Sequence, residues 1–126
     1  MASNSQDHFI IFARHNGEVI GMMSGRVLNN PERGDLGDTV KAGEVFVSEE
    51  MRNQGVGKKL LIELITQIKQ NPKIKKMLIK VFTGQQAAIA LYKSIGAEIK
   101  KEITKWPDGR KEQTYIMEKN FRLRVL

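Results

Sequence analysis

The chain has 126 residues, enough for one hydrophobic core and too few for two, so a single domain over residues 1–126 is expected. Hydrophobic residues make up 40% and charged residues 28%, no apolar run approaches the roughly 18 residues of a membrane span, and the absence of cysteine excludes disulfides and thiolate metal sites. The net charge of +7 favours anionic partners (nucleic acid, a phosphorylated cofactor or a membrane surface), although 6% aromatics supply few stacking platforms for single strands.

In chain order, "MASNSQDH" lacks the apolar stretch of a signal peptide, and a cytoplasmic location is expected. His8 and His15 are the only histidines, too few for a histidine-built metal centre. "HFIIFAR", Asn16-Gly17 and "VIGMMSGRVL" predict a hairpin, because that dipeptide supplies the positive-φ pair of a tight turn. Residues Asn29 to Val40 are rich in Gly, Asp, Asn and Pro and predict a long loop before a third strand, "AGEVFVS". From Val56 the apolar residues Leu60, Leu61, Leu64, Ile65 and Ile68 recur at helical spacing, and Pro72 ends that helix. The lysines of "KIKK" (Lys73 to Lys76) follow Asn71-Pro72 and read as a solvated loop. "MLIKVF" (Met77 to Phe82) predicts a buried strand, "QQAAIALYKSI" a helix with Gly96 as its C-terminal cap, and "EIKKEITKW", "PDGR" and "EQTYIMEKNF" a second hairpin. The predicted order is β-β-β-α-β-α-β-β. It implies an α+β fold whose mixed, mostly antiparallel sheet contains one parallel strand-helix-strand unit.

Chemistry concentrates at "RNQGVGKK", residues 52–59, between the third strand and the first helix. A helix N-terminus presents unpaired N–H groups and a partial positive charge, and glycines there let a phosphate approach the backbone. The Walker pattern fails, because Arg52 stands at its first glycine and Lys59 at its last position. The dinucleotide fingerprint fails as well, because Leu60 stands where its third glycine belongs. What remains, Arg-x-x-Gly-x-Gly after a strand, resembles the pyrophosphate loop of the GNAT superfamily of acetyl-CoA-dependent N-acetyltransferases. Val47, Arg52, Gly55, Val56 and Gly57 match its usual pattern, with Glu49 in place of a proline and Asn53 in place of the commonest first glycine. A second motif of that family is matched by Gln85, Ala88, Leu91, Tyr92 and Gly96, with Gln85 for an asparagine and Ala97 for a phenylalanine.

The resemblance implies a GNAT-like acyltransferase fold and acetyl-CoA as donor cosubstrate. It also implies transfer of the acetyl group to a primary amine by direct attack in a ternary complex. It assigns the cofactor to the loop Arg52, Asn53, Gln54, Gly55, Val56 and Gly57, to Gln85, Ala88 and Tyr92, and to the backbone of Val45, Phe46 and Val47, where the strand is expected to splay from its neighbour and donate to the developing oxyanion. Lys58 and Lys59 add positive charge there, or are simply solvated first-turn residues. Tyr92 resembles the acid that protonates the departing thiolate, or packs as an ordinary helix aromatic. Ser94 is the weaker donor.

Glu44 is the one acid on the third strand and the candidate base. A solvated carboxylate, a water relay, or capture of an already neutral amine are alternatives. The glutamate that other members place on the next strand is replaced by Lys80.

Two other classes compete. One is a family-like domain that binds coenzyme A or a partner without transfer. The other is a small basic nucleic-acid module, for which no reader motif is present. Members of the family usually begin with a strand and helices that wall the acceptor side, whereas here "HFIIFA" already resembles their second strand and "MASNSQD" is too short and polar to supply the rest. A homodimer meeting through strands or through "FRLRVL" is therefore expected to cover that side.

Overall fold

In the computed structural model, which describes residues 2–4 and 7–121, the expected hairpin pairs β2 (His8–His15) with β3 (Glu18–Val27). Asn16 and Gly17 close its turn at φ 52° and 81°, both in the left-handed region that the tight turn demands. The chain continues through β4 (Thr39–Val47), α1 (Val56–Lys69), β5 (Lys76–Phe82), α2 (Gln86–Ser94), β6 (Glu98–Ile103) and β7 (Thr114–Asn120). Before them all lies a short strand, β1 (Ala2–Asn4), antiparallel to β2 with Ser3 opposite Ile10. This adds one strand ahead of the expected order, within the segment "MASNSQD" that was expected to be too short and polar to supply the missing strand and helices. Pairing to an open sheet edge needs only backbone hydrogen bonds, so polarity did not prevent it.

The seven strands form one sheet in the order β1-β2-β3-β4-β5-β7-β6, with β4 and β5 its parallel neighbours. The third strand starts at Thr39 rather than Ala42, because Val40 pairs with both Val27 of β3 and Met77 of β5. The loop before it is correspondingly shorter and holds a 3-10 turn at Pro31–Arg33, capped by the Asn30 side chain. Residues 104–113, which include the Trp106 expected in a strand, form the connection between β6 and β7. Phe121 is the last described residue, so the rest of the expected "FRLRVL" contact lies outside the described residues.

Both helices pack into one core on one face of the sheet. Leu60, Leu61, Leu64, Ile65 and Ile68 of α1 join Ile89 and Tyr92 of α2, and Met77, Ile79 and Val81 of β5. Each such fully buried aliphatic side chain contributes about 1.5–3 kcal/mol relative to exposure. The alternate residues Leu78, Lys80 and Phe82 take the opposite face, which no helix covers among the described residues.

Two features open the sheet where a ligand can enter. The ladder between β4 and β5 runs for only three pairs, Thr39–Lys41 against Lys76–Leu78, after which the strands diverge. Divergence follows a bulge, since the β3–β4 register jumps between Met23/Val45 and Gly25/Ala42 and sets Gly43 and Glu44 against the single Ser24. A bulge bends the strand that carries the extra residue. A Cβ at position 43 would lie 2.6 Å from the Ser24 hydroxyl oxygen, so any larger residue there needs that side chain to turn away.

Candidate active site

The loop from β4 to α1 builds one wall of the site. Gly55 is the N-cap of α1 at φ 78°, a left-handed conformation with no side-chain cap, and Asn53 also has positive φ, 64°. Asparagine enters that region more readily than most residues, which accounts for it at a position where the family usually has glycine. The first intrahelical bond of α1 runs from the Lys59 N–H to the Gly55 carbonyl (3.1 Å). The N–H groups of Val56, Gly57 and Lys58 precede it and have no intrahelical acceptor. The loop is tied back by Arg52, whose Nε donates to the Val47 carbonyl at 3.3 Å.

The N-terminus of α2 builds the facing wall. It too lacks a side-chain cap, because the amide oxygen of Gln85 accepts instead from the Phe82 N–H (3.1 Å) at the end of β5. Between the walls lies a cleft of about 760 Å³, lined by Val47, Arg52, Asn53 and Gly55 to Gly57 on one side and Gly84 to Ala88 on the other. Two uncapped helix N-termini facing one cleft, each with roughly half a positive charge, suit a bound pyrophosphate.

Gln85 also lines a second cavity, of about 390 Å³, set in the gap between β4 and β5 with Gly43, Val45 and Tyr92. Tyr92 is only 9% exposed, and burial pushes its phenol above the ordinary value of 10, because desolvation disfavours the phenolate. It therefore holds its proton at neutral pH beside the strands' divergence.

The structure thus brings Val45, Val47, Arg52, Asn53, Gly55 to Gly57, Gln85, Ala88 and Tyr92 around two cavities that share Gln85. It does not bring all the expected residues there. Phe46 is 50% exposed and alternates away from Val45, so only its backbone borders the gap. Gln54 donates to the Glu50 carbonyl, and neither it nor the exposed Lys58 and Lys59 line either cavity. Ser94 is occupied with the Leu91 carbonyl. Glu44 holds its place on β4 between Gly43 and Val45; its side chain is outside the description. Lys41 and Lys80, neither of them expected in the site, line the cavity beside Tyr92.

A mixed sheet that splits between parallel strands, with uncapped helix N-termini at the split and a buried phenol within it, defines an acyltransferase that uses coenzyme A thioesters. The chain belongs to the acetyltransferase (GNAT) family, which matches it over residues 1–97. It is an acetyl-CoA-dependent N-acetyltransferase. Among solved structures it is similar to the ribosomal-protein-alanine N-acetyltransferase of Brucella melitensis, at 26% identity over 90% of this chain and 69% of that one, with a TM-score of 0.77. The ribosomal-protein-S18-alanine N-acetyltransferase of Escherichia coli is 21% identical, over 97% of this chain and 74% of that one, with a TM-score of 0.77. The acetyltransferase yncA of Salmonella typhimurium, whose structure contains acetyl-CoA, is 21% identical, over 96% and 69%, also with a TM-score of 0.77. No curated protein matches the sequence.

Proposed function

We propose that acetyl-CoA lies with its pyrophosphate on the Gly55–Gly57 turn and its thioester beside Tyr92, and that a primary amine attacks it there directly. The observation that carries this reading is that Gln85 lines both cavities, the one at the uncapped helix N-termini and the one beside the buried phenol. Acetyl-CoA supplies the activated acetyl group. The acceptor nitrogen forms a bond to the acetyl carbon, and the C–S bond breaks with its electron pair on sulfur. Tyr92 gives its phenolic proton to that sulfur, and the proton released by the amine passes to Glu44 or to water. The backbone N–H groups of β4 beyond Lys41, no longer paired to β5, support the oxyanion role assigned to Val45 to Val47.

Thermal melts test the donor assignment. Acetyl-CoA and CoA should each stabilise the fold by roughly 2.7 kcal/mol at a hundredfold excess over the dissociation constant, and ATP by much less. No shift with millimolar acetyl-CoA would remove the cavity assignment.

A cytoplasmic location is kept as part of the proposal and is checked by cell fractionation. No helix among the described residues is long and apolar enough to cross a membrane.

We also propose a homodimer. It is supported by the sheet face that no helix covers among the described residues, where Met22 of β3 sits opposite Phe46, which is 50% exposed. Large apolar side chains paired across adjacent strands favour a partner surface. Light scattering decides it, since the mass of one chain at every accessible concentration rules the dimer out.

A further inference from the structure

Lys41 and Lys80 line the Tyr92 cavity and also a third cavity, of about 390 Å³, on the uncovered face of the sheet. These two lysines therefore stand between the cavity beside Tyr92 and a separate chamber, where the β4–β5 ladder ends. Leu78 of β5, Ile116 of β7 and Ile103 of β6 form the chamber's apolar floor, and Trp106 its wall. Its rim is cationic among the described residues: Arg26, Arg33 and Lys101 join Lys41 and Lys80, against one acid, Asp35.

None of these five cations forms an ion pair among the described residues, and the Asp35 carboxylate is engaged by the Asn30 N–H at 3.1 Å. Like charges gathered around a concave, partly apolar surface focus a positive field into it. Trp106 strengthens the case. Lys80 and Arg110 each approach its ring to 5.0 Å, and its Nε1–H is buried without an acceptor. That Nε1–H is closed off from the chamber, so the two cations over the ring are what tie this wall to the rim.

Resting on the transfer reading above, we propose that this chamber is the acceptor subsite and that the acceptor is a small amine bearing an anionic group, carboxylate or phosphate, on an apolar body. The amine would reach the thioester through the gap between Lys41 and Lys80, while the anion is held by the rim and the body rests on the floor. A volume near 390 Å³ lies at the lower end of small-ligand cavities, which favours a small acceptor over a macromolecular surface.

Trp106 is the only tryptophan, so its emission reports on this chamber alone. Three probes share one amine and one ring: 4-(aminomethyl)benzoate, 4-(aminomethyl)phenylphosphonate and the neutral 4-(aminomethyl)-N-methylbenzamide. Each is titrated against Trp106 emission and, with acetyl-CoA, against release of free thiol. At least one anionic probe should half-saturate at a concentration about tenfold or more below the amide, and the better anion identifies the acidic group. Lys101→Glu and Arg26→Glu, exposed changes on different strands, should each erase most of that preference and leave acetyl-CoA affinity by calorimetry unchanged. Equal response to the amide and the anions, no response to any probe, or indifference to both variants overturns the proposal. Thiol release without charge preference would keep the transfer reading and discard the anion site. An anion-selective Trp106 response without thiol release would keep the site and discard its role as acceptor subsite.

Discussion

Tyr92→Phe should lower turnover about a hundredfold and leave acetyl-CoA affinity nearly unchanged. Only the hydroxyl is lost, and the ring keeps its place in the core beside Ile89. A positioned general acid typically contributes 10²–10⁴-fold, and the low end applies here because the leaving thiol has an ordinary pKa near 8.5 and departs readily. The direction of the Tyr92 shift sets the pH dependence. Burial raises its pKa above 10, so the donating form persists through neutral and mildly alkaline pH. Turnover should therefore show no descending limb from Tyr92 below about pH 10. The same sign holds for stability: whatever the neutral phenol contributes is complete below pH 10 and is lost as pH rises through the raised value. Pre-steady-state thiol release from both proteins is the measurement, and equal chemical steps would make Tyr92 a packing residue. Glu44→Gln in the same assay tests the base. An unchanged rate there leaves water as the proton acceptor.

Gly57→Val should weaken acetyl-CoA binding roughly 10- to 100-fold, the equivalent of one or two charge-assisted hydrogen bonds, with little loss of stability. The position is open on the protein side, since an added Cβ would meet nothing nearer than the Leu91 side chain at 4.0 Å. Gly57 also lies inside the helix rather than at positive φ, so a side chain adds no left-handed strain there. What a valine would occupy is the cleft beside the uncapped N–H groups. Gly55 makes the contrast: at φ 78° a substitution is strained by about 1–2 kcal/mol before any ligand is considered. Calorimetry on folded Gly57→Val protein is the check, and wild-type affinity would reduce the glycines to a turn.

The cleft at the N-terminus of α1 was legible in the sequence because the features that make it are local. The 3.6-residue spacing of Leu60, Leu61, Leu64 and Ile68 marks α1, and Gly55 and Gly57 mark its exposed N-terminus, whatever the rest of the chain does. The hairpin turn at Asn16-Gly17 is local in the same sense. Strand β1 was not legible, because a polar tripeptide joins a sheet only when a particular edge lies beside it. The gap beside Tyr92 was expected only through the family resemblance, because the short reach of the β4–β5 ladder depends on two strands far apart in sequence. The cationic chamber shows the limit most plainly. Arg26, Lys41, Lys80 and Lys101 lie on four different strands, and each alone reads as a solvated strand residue. Periodicity says that each alternates with its neighbours; it does not say which strand lies next to which. The order β3-β4-β5-β7-β6 gathers them on one face, because non-local backbone pairing, not side-chain pattern, decides what a strand's polar residues look across at.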